Sequence, residues 1–468
     1  MKHVFVFRVS VFVILLALAA VLIASAAPAA ETSAQKEARM KWWTEARFGM
    51  FIHWGLYALP ARHEWVKNNE HITDADYQKY FDHFNPDLYE PKAWAKAAKA
   101  AGMKYFVITT KHHEGFCLFD SKFTDYKSTK TPYGKDLIAP LVQAMREEGL
   151  KVGFYYSLLD WHHPDYTVDA NHPQAGDAAF REKAKNRDIK KYAEYVRNQV
   201  REILTNYGTI DCIFLDFSFP GQDGKGRHDW ESEKLLAMIR ELQPNIVIND
   251  RLDLLDVPGG WDFRTPEQYL PREWVKMDGQ KVPWETCQTF SGSWGYHRDE
   301  ATWKSVRQLV TMLIEVVSKG GNLILNVGPT ARGTFDARAM ERLAGIGKWT
   351  SLHGRSIYGC TAAPEEFPKP DHCLLTYNPA ARRLYVHVLE WPMGTLVLDG
   401  FGGKVQYAQL LNDASEISFR DSTKPGDLGY EGFLPGGKKG TDGGSVILRL
   451  PVLKPNVEVP VIELFLKD

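Results

Sequence analysis

Cysteine is scarce in this chain. There are five in 468 residues, at positions 117, 212, 287, 360 and 373, with no CxxC pair among them. That excludes a disulfide-built scaffold and a thiolate metal site, and the odd number leaves at least one thiol free or bound to another chain. Cys360 and Cys373 are a candidate pair that the sequence does not decide. Net charge is almost absent too: 57 Lys and Arg against 58 Asp and Glu, a formal charge of -1, with no run rich in Lys or Arg. Nucleic acid is therefore not an expected partner. No G-x-G-x-x-G follows a strand-like segment, which removes support for a dinucleotide fold, and no N-x-S/T acceptor is present. With 44% hydrophobic and 12% aromatic residues, the composition is wrong for a disordered or collagen-like chain.

What is present begins at the N-terminus. Lys2 and Arg8 precede an apolar run from Val9 to Ala24, and the small residues Ser25 to Ala30 follow. A charged start, an apolar middle and A-x-A-like sites describe a secretory leader, expected to be cleaved near residues 26–30. The expected product is secreted or periplasmic, without stable membrane insertion after cleavage. The alternative is an uncleaved anchor.

From about residue 48 to 354, strand-like and helix-like segments alternate. Buried-strand runs are expected at 48–54, 105–111, 152–158, 210–217, 245–250 and 322–327, with weaker ones at 261–265 and 284–290. Helices are expected at 91–101, 137–148, 179–206, 230–242 and 303–318, several of them ending at glycine. Eight β–α units imply parallel strands in a (β/α)8 barrel, with an open doubly wound sheet as the alternative. After Ser356 come short alternating runs between Pro- and Gly-rich turns, including Pro435 to Gly440, as in an antiparallel β-sandwich. The expected division is a leader at 1–30, a barrel at 31–355 and a sandwich at 356–468.

A barrel places its chemistry at the C-terminal ends of its strands. Those ends carry His53, then Glu64 and Trp65; Lys111-His112-His113-Glu114; Tyr155-Tyr156-Ser157; Asp216; Asn249-Asp250-Arg251; Glu267; Glu285 and Trp294; and Asn326. Tryptophan faces with directional His, Glu and Arg groups suit a carbohydrate, whereas a phosphate would call for a Gly-rich loop before a helix. His53, His112 and Asp216 could be read as metal ligands. No H-x-H on the first strand and no bridging lysine accompany them, so no metal and no cofactor is expected.

Asp216 is the outlier. It sits inside the apolar run Cys-Ile-Phe-Leu-Asp-Phe-Ser, and burying a carboxylate alone is costly. It is either a structural partner of Arg251 or a nucleophile kept ionised by it. A glycosidase needs two carboxylates, about 5–5.5 Å apart if configuration is retained.

The ordered stretches RFGMFIHWG (47–55), HEW (63–65), TTKHHEGF (109–116), GFYYSLLDWHHPDY (153–166), NDR (249–251), WETC and SWGY (within 284–296) and GGNLILNVGPTARG (320–333) resemble the α-L-fucosidases of glycoside hydrolase family 29. The resemblance covers roughly residues 40 to 360. It implies a retaining double displacement on terminal α-L-fucosyl groups of glycans, without a metal, with Asp216 as nucleophile. By the same carry-over His53, Glu64, Trp65, His112, His113, Tyr156 and Arg251 hold sugar hydroxyls, while Phe214 and Trp294 are apolar contacts. The acid/base is expected at Glu267, with Glu285 as its rival. Asp216 is followed by Phe-Ser where many members carry glycine, a departure in the pocket floor. The alternatives are a related α-L-glycosidase, such as one for α-L-galactosides, and a non-catalytic carbohydrate-binding protein. Oligomeric state is not legible.

Overall fold

Seven parallel strands form one curled sheet in the computed structural model, which describes residues 31–424 and 444–467. The expected leader and the turn at Pro435 to Gly440 lie outside the described residues. The chain divides between Met40 and Lys41, and among the described residues every strand follows that division. In chain order the strands are β1 (Phe48–Ile52), β2 (Tyr105–Lys111), β3 (Lys151–Ser157), β4 (Cys212–Asp216), β5 (Val247–Ile248), a small hairpin of β6 (Lys276–Met277) and β7 (Gln280–Lys281), β8 (Glu285–Thr289) and β9 (Asn322–Val327). The sheet runs β5-β4-β3-β2-β1-β9-β8, all parallel, with Met50 beside both Phe106 and Leu325.

Between β5 and β8 the expected strand at 261–265 is not regular. It contributes single parallel bridges, Asn249 to Phe263 and Arg264 to Trp284, followed by Glu267 to Cys287. Pro266 and a left-handed Gln268 (φ 59°) prevent a continuous ladder there, since proline has no N–H to give. The segment still spans the gap, so the barrel has seven regular strands and one irregular stave.

Strand parity separates two interiors. Met50, Ile52, Phe154, Tyr156, Ile213 and Leu215 belong to the core between sheet and helices. Phe51, Tyr155 and Phe214 are as deeply buried but lie outside that cluster, on the alternate face that fills the barrel. Their rings pack on one another, with centroids 5.2 Å apart for Phe51–Phe214 and 5.9 Å for Tyr155–Phe214. Burial on both faces is why these strands read as unbroken apolar runs.

Two expected helices are broken. Residues 179–206 form Ala178–Ala184 and Ile189–Thr205, because Asp188 is extended and its carboxylate accepts from the Lys190 N–H, starting a new helix. The helix expected at 230–242 is split by Glu231 in a left-handed conformation (φ 49°) into Arg227–Trp230 and Ser232–Leu242. A further helix, Ala337–His353, was not expected; Asp336 caps it. Among the described residues no helix is long and apolar enough to cross a membrane.

From Thr361 the strands are antiparallel. One sheet has β10 (Thr361–Ala362), β11 (Cys373–Asn378), β12 (Arg383–Val388), β14 (Val405–Leu410) and β17 (Val461–Leu466); the other has β13 (Thr395–Asp399), β15 (Phe419–Asp421) and β16 (Ser445–Arg449). Their inner faces meet in a core that includes Val386, Leu398, Phe401, Leu448 and Ile462. The sandwich is tied to the barrel by Trp349, whose indole N–H donates to the Val459 carbonyl at 2.8 Å, and by Thr376, whose hydroxyl donates to the Ser356 carbonyl at 2.7 Å. Cys360 and Cys373 are both free and buried, as are the other three cysteines.

Glu285 opens β8 at the N-terminal end of the barrel, away from the catalytic face such a fold offers. The Tyr105 hydroxyl donates to its carboxylate. Tyr105 itself lies across Gly49, where a Cβ would come within 2.5 Å of the ring, so these residues plug the barrel floor. As a rival acid/base, Glu285 is therefore in the wrong place: the same inward parity puts it at the bottom of the barrel rather than its mouth. Burial pushes its carboxyl up to about 7, partly opposed by the Tyr105 hydroxyl. The folded state thus keeps a proton that the unfolded chain loses near pH 4.5, so stability falls as pH rises from about 4.5 to about 7, by roughly 3 kcal/mol. Glu285→Gln, which retains an acceptor for Tyr105, should match the parent's melting temperature at pH 4 and exceed it by roughly 3 °C at pH 8. Superimposable melting curves at pH 8 would refute this account.

Candidate active site

At the opposite end, the strand termini surround one pocket. Phe51 and Phe214 form its floor, and Trp65, Phe217 and Trp294 form apolar walls. His53, His112, His113, Tyr155, Asp216, Arg251, Glu267 and Cys287 supply the polar atoms.

Arg251 organises the charge. Its Nη1 donates to Asp216 Oδ1 at 2.6 Å and its Nη2 to Glu267 Oε2 at 2.7 Å, while Nε donates to the Thr265 hydroxyl at 3.0 Å. The guanidinium lies over the Phe214 ring, 5.1 Å from its centroid. Burial alone would lower its pKa, but Asp216 and Glu267 hold it well above the usual arginine range. Asp216 ends β4 and is 7% exposed, and its second oxygen accepts from the Tyr155 hydroxyl at 2.7 Å. Burial and the adjacent Asp216 push the Tyr155 phenol far up, so it stays a donor. Glu267 is the open member, with 41% of its side chain exposed. Its backbone is nevertheless fixed, because Cys287 N donates to the Pro266 carbonyl and Gln268 N to the Cys287 carbonyl. One shielded and one accessible carboxylate therefore share one cation, within the width of a guanidinium and two hydrogen bonds.

The histidines are oriented by second residues. Asn326 Nδ2 donates to the Trp294 carbonyl at 2.6 Å, which fixes its amide, so Oδ1 accepts from His53 Nδ1 at 2.7 Å. The open Nε2 of His53 is thereby a lone-pair acceptor. Burial, then the neighbouring His112, pushes His53 well below the usual histidine range; His113 is lowered in the same way. Both rings are neutral near pH 7. His113 Nδ1 lies 2.7 Å from the Ser157 hydroxyl.

The pocket contains His53, Trp65, His112, His113, Phe214, Asp216, Arg251, Glu267 and Trp294 from the expected set. Glu64 stands behind it: its Oε2 accepts from Trp294 N at 3.0 Å and Gly295 N at 2.9 Å, holding the tryptophan wall. Tyr156 is misplaced by one residue. Its hydroxyl donates to Gln199 at 2.7 Å in the outer core, because consecutive strand residues face opposite ways, and Tyr155 occupies the pocket instead. Phe51, Phe217 and Cys287 also line the site without having been expected. Alternation from His53 along β1 would have found Phe51. Phe217 has a left-handed backbone (φ 77°), which costs a non-glycine residue about 1–3 kcal/mol, and its ring sits 4.9 Å from His113 and 5.4 Å from Trp65. This is the position where a glycine would be unstrained. Among the described residues, no group of three or more His, Cys, Asp or Glu side chains is arranged to hold a metal ion.

The chain is similar to known proteins over most of its length. A family model described as alpha-L-fucosidase matches residues 16–355. Alpha-L-fucosidase isoenzyme 1 from Paenibacillus thiaminolyticus is similar in structure, with a TM-score of 0.84 and 45% identity, covering 92% of this chain and all of that one. A GH29 alpha-L-fucosidase from Bacteroides thetaiotaomicron, trapped as a covalent intermediate with 2-fluoro-fucosyl fluoride, superimposes with a TM-score of 0.77 at 29% identity, covering 95% and 98% of the two chains. The alpha-L-fucosidase of Dictyostelium discoideum is 30% identical over 424 residues, 82% of this chain and 87% of its own. With the match spanning the whole barrel and the strand-end site, the chain belongs to the α-L-fucosidase family, glycoside hydrolase family 29.

Proposed function

We propose that this protein is a retaining exo-α-L-fucosidase that removes terminal α-L-fucosyl groups from glycans. The observation that carries the reading is the pair of carboxylates, Asp216 and Glu267, hydrogen-bonded to the two terminal nitrogens of Arg251 at the mouth of an aromatic-floored pocket. Asp216, shielded and held by Arg251 and Tyr155, attacks the anomeric carbon and forms a fucosyl ester. Glu267, at the open side, protonates the departing oxygen and then takes the proton of the water that cleaves the ester. His53, through its acceptor Nε2, and the other two imidazoles bind hydroxyls. Phe51, Phe214 and Trp294 offer an apolar surface for the C6 methyl group that distinguishes fucose. The leader-like residues 1–30 support release from the cytoplasm, with the mature chain secreted or periplasmic.

Four variants test this reading on 4-nitrophenyl α-L-fucoside. Asp216→Ala should lower kcat by at least about 10³-fold, and added azide should restore turnover with β-fucosyl azide as product. A variant with parental activity would sink the assignment. Glu267→Ala should lose the basic limb of the pH profile and about 10²- to 10⁴-fold of its rate on poor leaving groups. Azide should here yield the α-azide, since the ester still forms, and a β-azide product would contradict the role. Tyr155→Phe should cost roughly tenfold in kcat/KM through the lost bond to Asp216. Tyr156→Phe should keep activity within about twofold and lose about 1 kcal/mol of stability; the reverse ranking would mean that the strand parity is misassigned.

A further inference from the structure

His113 sits in a corner of the pocket that three aromatic rings enclose. Its ring centroid lies 5.0 Å from that of Trp65, 5.5 Å from Trp161 and 4.9 Å from Phe217. Its Nδ1 is taken by the Ser157 hydroxyl, so Nε2 is the atom left for a ligand. Trp65 and Trp161 come from the loops after β1 and β3, and Phe217 follows Asp216 at the end of β4. Phe217 reaches the corner from a left-handed backbone (φ 77°), a costly conformation that is retained where the surrounding structure fixes a side chain in place.

The segment behind Phe217 is clamped. Phe219 N donates to the Lys225 carbonyl at 2.8 Å and Lys225 N to the Phe219 carbonyl at 3.2 Å, which closes a tight loop. Gly224 is needed in it, since a Cβ there would fall 2.1 Å from the Phe219 carbonyl oxygen. The Lys225 ammonium is buried and pairs with Asp169, also buried, which accepts from the Tyr166 hydroxyl as well. Ala170 N donates to the Asp223 carbonyl at 3.2 Å, and Arg181 pairs with the Asp223 carboxylate at 2.8 Å. The loop after β4 is thus locked to the loop after β3, and the Phe219 ring backs Phe217 at 5.7 Å.

A ring held from both sides does not swing away to admit a larger ligand, because packed interiors yield little. We propose that Phe217 is a specificity-determining residue: it closes the corner around His113, so that the sugar hydroxyl bound there must be unsubstituted. Fucosyl groups carrying a methyl, acyl or sulfate group, or a further sugar, on that oxygen are refused. The substrates are then glycans whose terminal fucose is bare at that position. The inference deepens the fucoside reading and rests on it for the identity of the sugar.

The test compares the full-length parent with Phe217→Gly, since glycine adopts this backbone without strain. The substrates are 4-nitrophenyl α-L-fucoside and its mono-O-methyl ethers at O2, O3 and O4. The parent should cleave at least one ether about 100-fold less well than the bare fucoside, in kcat/KM. Phe217→Gly should narrow that gap by at least about tenfold for the same ether, while itself losing rate on the bare fucoside. General damage to the variant lowers every rate together, so the ratio reads specificity alone. A parent that cleaves all the ethers within about threefold of the bare fucoside overturns the proposal. So does a gap that is unchanged in the variant, because the refusal then lies with groups other than Phe217. No turnover of the bare fucoside by the parent would refute the fucoside reading itself, and this inference with it. Should Phe217→Gly fail to fold, Phe217→Asn, which tolerates the left-handed region, makes the same comparison.

Discussion

One buried guanidinium sets the terms for the rest of the site. Arg251 leaves the end of β5, stacks on Phe214 from β4 and binds Asp216 and Glu267 at once. A buried charge is tolerable only when paired and well bonded, and here every terminal nitrogen has a carboxylate. Removing it would leave the two carboxyl groups without their shared hydrogen-bond donor. It also joins three separate parts of the barrel: the regular strand β4, the short strand β5 and the irregular stave at 261–267. The cluster thus holds Asp216 and Glu267 at the mouth of the pocket, where a sugar cation would develop, before any ligand arrives.

The two glutamates flanking Cys287 show how one backbone register separates chemistry from structure. Glu267 pairs directly beside Cys287 across the irregular bridge, whereas Glu285 precedes Cys287 by two residues on the same inward face. Two residues along a strand are about 6.5 Å, one layer of the barrel. That layer is the difference between an open mouth, where a carboxylate stays accessible, and a sealed floor under Tyr105, where burial pushes it up to about 7.

The walls are held from behind in the same manner. Glu64 accepts the backbone N–H groups of Trp294 and Gly295, Asn326 fixes His53 and carries the Trp294 carbonyl, and Ser157 meets His113. Phe217 is the one wall residue kept at a backbone cost, its left-handed φ retained because the ring fills the space between Trp65 and His113. Rigid support of this kind pre-orders a polar pocket, so that ligand binding spends little on reorganisation.

Much of this was legible in the sequence. The apolar runs and the glycine-terminated helices define a parallel barrel, since periodicity and stop signals act locally. The chemistry at strand ends, including His53, His112, Asp216 and Arg251, follows once the barrel is granted, and the family motifs lie in the same stretches. Other features required the folded chain. Tyr155 rather than Tyr156 enters the pocket because a one-residue change of phase inverts a strand, and an all-apolar strand carries no alternation to reveal its phase. The breaks at Asp188 and Glu231 depend on backbone conformations that helix propensity does not register. The pairing of Glu267 with Cys287 joins residues twenty apart by a single bridge. Composition and pattern thus determined which groups exist and at which end of the barrel most of them gather. Only tertiary structure decided which face each strand turns inward and which glutamate meets Arg251, because both depend on register between segments distant in the chain.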